Sequence, residues 1–429
     1  MDEAVKPGIA LRQLRLAKGV GLRGLARDIC CDPGHLSRME SGVRPLSLEC
    51  AQLADRFLDT GGAITALVRA GYAGQRWRDR SAEPNGALRV VEVDTPEGRI
   101  TVSVPRRDLL MTLGIGAVGS SVLRDLHRVA VLPDAVGDLD KALEGFSIAG
   151  RVMPPSQLLD ALTGRVAVIS AMRQKASSGV AARLAMTQAR YAEFLSWMHE
   201  ETGDLVQAIW WIDRASEWAH VGSWVPMVAF TSVRKSVMAT MHAADAHRTV
   251  DFAQVALHTN GATPAVLRFA AAQLAYGHAL AGDLGGSRRA LDLATSYYQK
   301  AAAGPQDEPS IGARSVLDHD PVELNWATCN IFAGRGEPAI GVLATRMDAV
   351  KGVSPRAYAI HGARLAHAYA LAGHPDEVQR TLAEVLDTTA VTESATTRRE
   401  LGRICPVLRS RWPRRSDLRD IAQRLAVLA

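Results

Sequence analysis

The sequence predicts a mainly α-helical protein: a small N-terminal domain of five helices, a short β-hairpin connector and a C-terminal α-solenoid of helical hairpins. Three observations predict it. Ala, Leu and Arg are abundant, whereas only 7 Phe and 7 Tyr stand among 429 residues, a balance that favours helix over sheet. Short runs in the first 70 or so positions place apolar residues at i, i+3, i+4 and i+7, the period of one helix face. From about residue 180 onward, turn signals recur roughly every 40 residues, the spacing of stacked helical hairpins.

A chain of this length is expected to hold two or three domains. Its formal net charge of +5 is unevenly spread, since residues 1–80 hold 13 Lys or Arg against 9 Asp or Glu. The basic excess therefore sits in the N-terminal sixth, as expected where a polyanion is met. The five cysteines, Cys30, Cys31, Cys50, Cys329 and Cys405, form no CxxC pair and no metal spacing with the histidines. That predicts free structural thiols in a reducing cytoplasm and no metal or other cofactor, with oxidant sensing by Cys30 and Cys31 as the lesser reading.

In chain order, "LRQLRLAKG" reads as an amphipathic helix with Leu11 and Leu14 facing a core. Leu22, Leu25, Ala26 and Ile29 mark the face of a second helix. Asp32 then offers an N-cap and Pro33 a pre-set first helical residue. The helix they begin runs to about Ser41 and stops at Gly42. So few residues separate these two helices that they must cross steeply, and Ala26 is small where close crossing needs it. Leu36, Met39 and Glu40 point inward from the third helix, Gly34, Arg38 and Ser41 point outward, and His35 and Ser37 flank the outer face. "LSLECAQLADRFL", begun by Ser47, and "AITALVRAGY" complete the five helices.

The stretches "LRQLRLAKGVGLRGLA" and "GHLSRMESGVRP" resemble the helix-turn-helix domain of the phage-repressor and Cro superfamily, the XRE family, over residues 9–70. The resemblance implies binding to double-stranded DNA, with a recognition helix at about Pro33–Ser41 entering the major groove and homodimers reading paired half-sites. It places the family's buried ion pair on Arg15 and Glu40. Base-reading positions fall on Pro33, Gly34, Ser37 and Arg38, with His35 adding contacts and Ser41 on the same face. Backbone contacts fall near Leu22 and Arg23, and on Val43 and Arg44. Two departures stand out. Cys30 replaces the usual glycine at the turn, so an altered turn geometry is expected. Pro33 and Gly34 carry no side chain able to reach a base, which leaves direct readout mostly to Arg38, with guanine as the expected target.

Residues 75–123 read as a connector. "QRWRDRSAEPNGA" is polar and charged, with Pro and Gly, and predicts a linker. "LRVVEV" and "RITVSV" around "DTPEG" predict a β-hairpin. The double arginine and apolar run at 105–123 resemble an export signal, but a whole module precedes them, so a buried helix is expected and no membrane contact. "GIGAVG" (Gly114–Gly119) lacks a surrounding βαβ unit and reads as helix packing. The domain boundaries expected are thus 1–74, 75–123 and 124–429.

Hairpin centres near Gly203, Ala243, Gly282, Gly334, Gly373 and Trp412 are about 40, 39, 52, 39 and 39 residues apart, with a loop of about 13 residues in the long step. Residues 124–179 are expected to form a capping repeat. The pattern at Ala275–Ala290, nearly repeated at Ala366–Val378, resembles tetratricopeptide repeats, and HEAT-like hairpins remain the alternative. Trp197, Trp210, Trp211, Trp218 and Trp224 crowd the first units; repeat core is the plainer reading, the wall of a groove the sharper one. Asn325 and Asn330, beside Trp326, suggest amides that clamp an extended peptide. His361 and His367 read as core or groove residues.

No nucleophile elbow, P-loop, zincin motif or carboxylate pair is present, so no enzyme is expected. The whole resembles actinobacterial XRE-type regulators with tetratricopeptide-like sensor domains. That implies a cytoplasmic, nucleoid-associated, DNA-binding transcriptional regulator, a homodimer whose repeats sense a signalling peptide, small molecule or partner protein. The alternative is a scaffold whose array recruits a partner and for which DNA binding is secondary.

Overall fold

The computed structural model describes residues 7–65, 67–68, 88–95, 98–105, 135–304, 311, 321–350 and 354–428. The expected linker at 75–87, the segment following Pro105 and the "GIGAVG" stretch lie outside them. The described residues divide into two compact units, one taking residues up to His199 plus Val206–Ser223, the other taking Glu200–Leu205 plus Trp224 onward.

The first unit begins with α1 (Pro7–Ala17), α2 (Leu22–Asp28), α3 (Pro33–Glu40) and α4 (Leu48–Leu58), followed by helical residues at 63–65 and 67–68. Leu11, Leu14, Leu25, Ala26, Ile29, Leu36 and Met39 share one buried cluster with residues of α4. Burial of that shared face, more than intrinsic propensity, holds such short helices together. Gly8 allows α1 to touch the end of α3: a Cβ there would lie 1.8 Å from the Met39 carbonyl oxygen. Asp55, buried, accepts from the Ile64 and Thr65 amides at 2.9 and 2.8 Å and from the Thr60 hydroxyl. It thereby caps the helical turn that follows α4.

Further on, β1 (Leu88–Thr95) and β2 (Gly98–Pro105) pair antiparallel with Val91 opposite Val102. They form the only sheet among the described residues, which are otherwise helical. Helices α5 (Ala135–Ala149), α6 (Ser156–Arg173), α7 (Ser178–Thr202) and α8 (Leu205–Val221) follow.

Here the structure differs from the expected boundary at 124. Helix α5 docks on the N-terminal helices. A Cβ on Gly61 would lie 2.4 Å from the Asp138 carbonyl oxygen and one on Gly145 would lie 2.5 Å from the Ala63 methyl. Ile148 packs on the N-terminal core, and Lys141 pairs with Asp59 at 3.0 Å. Helix α7 joins the same body through the Tyr191 hydroxyl, which donates to the Leu139 carbonyl at 2.8 Å. In the sequence Gly61 looks like an ordinary turn residue and Gly145 like ordinary helix interior.

The second unit contains α9 (Val225–Met238), a π-helical turn at Ala239–Ala243, α10 (Ala246–Leu257), α11 (Pro264–Leu280) and α12 (Leu284–Ala302). After these come α13 (Pro321–Phe332), α14 (Glu337–Val350), α15 (Pro355–Ala372), α16 (Pro375–Thr392), α17 (Ala395–Gly402), α18 (Ile404–Arg411) and α19 (Ser416–Leu428). Turns sit at the periodic centres read from the sequence. Gly203, Gly282, Gly334 and Gly373 have φ of 90°, 77°, 75° and 97°, the left-handed stop that glycine adopts without steric cost. Near Ala243 the left-handed residue is Ala244, with φ 48°.

Within this unit α9, α11, α13, α15 and α17 form an inner row, each packed on the next, and α17 returns to the π-helical turn. The row therefore closes into a ring. Two polar ties accompany the closure: the Arg403 Nη2 donates to the Thr240 and Met241 carbonyls at 2.5 and 3.2 Å, and buried Glu201 accepts from Arg356 Nη1 at 2.7 Å and pairs with Ser394. Buried Glu200 is held by Arg234 and by His242 at 3.2 Å. Burial raises the Glu200 carboxyl, and these two partners outweigh it and lower it overall.

Candidate nucleic-acid interface

The turn between α2 and α3 is built by a left-handed residue. Cys30 has φ 52°, its amide donates to the Arg27 carbonyl at 3.2 Å, and the Cys31 amide donates to the Ala26 carbonyl at 2.8 Å. These two bonds form a Schellman stop. The altered turn expected from the missing glycine is not seen: the backbone keeps the left-handed geometry with a cysteine in place. Burial and the neighbouring Cys50 thiol push the Cys31 thiol up, so it stays protonated and a poor nucleophile.

Asp32 then caps α3, its Oδ1 accepting from the His35 amide at 2.8 Å, with Pro33 in the first turn. At the far end Ser41 is the C-cap and Gly42 turns left-handed, with φ 73°. Its amide donates to the Met39 carbonyl at 3.0 Å, and the Arg44 amide reaches back to the Arg38 carbonyl at 2.9 Å. The loop carrying Val43 and Arg44 is thus tied to α3.

Along α3, Pro33, Gly34, Ser37, Arg38 and Ser41 are exposed, and Leu36, Met39 and Glu40 are buried. His35 is half-buried, whereas Arg23 and Arg44 are exposed and Val43 is 74 % exposed. Arg38 lies along its own helix, its Nε donating to the Gly34 carbonyl at 3.2 Å. The Ser41 hydroxyl donates to the Arg38 carbonyl at 3.2 Å. The guanidinium amines of Arg38 have no protein partner among the described residues, which is the state a bidentate base contact requires. Arg27, absent from the sequence reading, is 81 % exposed and lies four residues beyond Arg23, on the same stripe of α2. That spacing was the signal that could have found it.

The inward side is fixed by an ion pair. Arg15 Nε and Nη2 donate to the two Glu40 carboxylate oxygens, both at 2.7 Å, and Arg15 Nη1 donates to the Val20 carbonyl at 2.8 Å. Both side chains are nearly buried, at 8 % and 4 % exposure. The hydrogen bond to Glu40 raises the Arg15 guanidinium further above its ordinary range. One fork therefore joins α1, α3 and the turn before α2.

The proposed groove residues fare differently. Trp211 is buried in the core of the first unit, and Trp210, half-buried, meets it edge-to-face with ring centroids 4.7 Å apart. Asn325 and Asn330 belong to the second unit. Buried Asn330 donates from Nδ2 to the Trp326 carbonyl of its own helix at 2.9 Å, and Asn325 accepts from the Tyr276 hydroxyl at 2.6 Å. Each asparagine thus has one amide atom engaged inside the fold, Oδ1 of Asn325 and Nδ2 of Asn330. Only Trp326 is open, at 41 % exposure.

A cap, a left-handed turn, a buried fork and an exposed polar helix face together define a DNA-binding helix-turn-helix domain. A protein-family model described as a helix-turn-helix domain matches residues 8–68, the stretch from α1 through the helical turn capped by Asp55. No curated protein matches the chain. Among the described residues no helix is long and apolar enough to cross a membrane.

Proposed function

We propose that the chain is a sequence-specific transcriptional regulator of the XRE type, acting on double-stranded DNA as a homodimer, whose tetratricopeptide-like hairpins sense a ligand or partner. The exposed face of α3, held outward by the buried Arg15–Glu40 fork, carries the DNA half of this reading. The inner row of helices in the second unit, closed into a ring, supports the sensor half of the reading. The reading assigns no catalytic step and places the protein in the cytoplasm, on the nucleoid.

The test is a gel shift with the full chain, genomic fragments and excess competitor DNA. Arg38→Ala is expected to weaken specific binding by about 1–3 kcal/mol and to relax preference at one base pair. Arg44→Ala should weaken binding on all sequences alike and flatten its salt dependence. A chain with no preference over competitor would overturn the regulator reading in favour of a scaffold.

A further inference from the structure

Within the ring of the second unit, the side chains facing inward are polar and poorly satisfied. Glu400 on α17 is fully buried, yet neither carboxylate oxygen has a hydrogen-bond partner. Its cationic neighbours, Arg403 at 3.5 Å and His367 at 3.9 Å, stand beyond good hydrogen-bond reach. On α15, His361 Nδ1, Arg364 Nε and His367 Nδ1 are buried and unpartnered too. Buried polar atoms are paired in nearly all folded proteins, so such a concentration on two adjacent helices calls for an explanation.

Arg364 is the hub. Its Nη1 reaches the Thr328 hydroxyl on α13 at 3.4 Å, and its Nη2 reaches the Met241 sulfur on the π-helical turn at 3.7 Å. Both contacts are long and weak, and no carboxylate pairs with it among the described residues. Around Glu400 two guanidinium groups, Arg403 and Arg364, thus stand against one carboxylate, and Arg364 has no carboxylate partner of its own. The surplus also shows on His361, which burial first, and then Arg364 and Arg346, push down to about 3.

The structure assigns to this interior a binding site for a small organic carboxylate, received bidentately by Arg364. Its size follows from contacts that cross the ring. Arg364 meets Met241, and the Arg403 guanidinium stacks on the Phe332 ring at 5.0 Å; an extended peptide threaded through would break both. Tyr276 and Phe332, edge-to-face at 5.6 Å, supply an apolar wall for the body of the acid. Arg364 itself is only partly buried, so a small ligand reaches it without unfolding the ring. This site deepens the sensor reading above and rests on it only for its purpose, not for its chemistry.

The experiment is calorimetric titration and thermal melting of the full chain with acetate, succinate, citrate and benzoate. Chloride at equal ionic strength, acetamide, benzamide and inorganic phosphate serve as controls. At least one carboxylate should bind saturably, one per chain, and raise the melting temperature as ligand binding to the native state requires. Arg364→Gln should abolish that binding. Arg364→Lys, which keeps the charge and loses the fork, should weaken it at least roughly tenfold. The assignment is overturned if none of the four acids shifts melting beyond chloride, if phosphate alone binds, or if both variants bind like wild type. An acid that binds at Arg364 yet leaves operator affinity unchanged keeps the site and rejects the sensor role.

Discussion

Glu40 lies on the inner side of α3, and it is tolerated there because Arg15 meets both of its oxygens. Glu40→Gln leaves the guanidinium buried without its counter-charge, which is expected to destabilise the first unit by about 3–5 kcal/mol. Thermal melting of the full chain, followed through the first unit's transition, checks this; an unchanged midpoint would mean the fork carries little energy. Cys30 offers the opposite case. A side chain at φ 52° costs about 1 kcal/mol relative to glycine, so Cys30→Gly should stabilise by about that amount in denaturant unfolding. Both positions were legible in the sequence, Glu40 as an inward charge and Cys30 as a residue where glycine is usual. That the cysteine adopts the left-handed turn was not legible, because the six-to-one bond from Cys31 to Ala26 enforces it from outside the residue.

At the scale of the element, α3 is specified locally and held globally. Asp32, Pro33 and Gly42 mark its two ends in the sequence, and the structure shows each making the bond its chemistry allows. What the pattern could not show is that α1 crosses the end of α3 without room for one methyl group. Gly8→Ala would place a carbon against the Met39 carbonyl oxygen and force the two helices apart, a strain of about 1–3 kcal/mol. Melting should register the loss, and operator binding should fall with it, since Gly42, which leads into the loop of Val43 and Arg44, bonds to the same carbonyl. A variant with wild-type melting would show that α1 shifts freely.

On the scale of the whole molecule, the interior charges of the second unit make it sensitive to acid. His361 is pushed down to about 3 by burial and by Arg364 and Arg346, so the unfolded chain takes up a proton that the folded chain refuses. Its contribution is complete above the unfolded value near 6.5 and is lost as pH falls toward 3. Glu400, which burial raises but His367, Arg403 and Arg364 pull down to about 2, adds a loss that starts near 4.5 and runs to about 2. Stability of the second unit should therefore fall by about 1.4 kcal/mol per pH unit for each group titrating. Melting between pH 7 and pH 4 is the measurement, and His361→Gln should flatten its upper part. A flat profile in the wild type would mean that His361 is solvated when folded.

Local chemistry in the chain determined the helices, their caps, the hairpin turns at Gly203, Gly282, Gly334 and Gly373, and the outward face of α3, because period, cap and glycine signals act over a few residues. Tertiary structure alone decided which hairpins share a body. The docking of α5 on the N-terminal helices depends on Gly61 and Gly145 meeting backbone and methyl groups about 80 residues away in sequence, which no local pattern encodes. It set a partner for each asparagine, too: Asn325 and Asn330 stand beside Trp326 in the sequence, and the fold engages the Oδ1 of one with Tyr276 and the Nδ2 of the other with its own helix. Closure of the inner ring brings Arg364, Arg403 and Glu400 to one point, with Arg403 reaching carbonyls about 160 residues earlier. A buried charge is costly unless something meets it, and where charges gather is settled only when the chain has closed on itself.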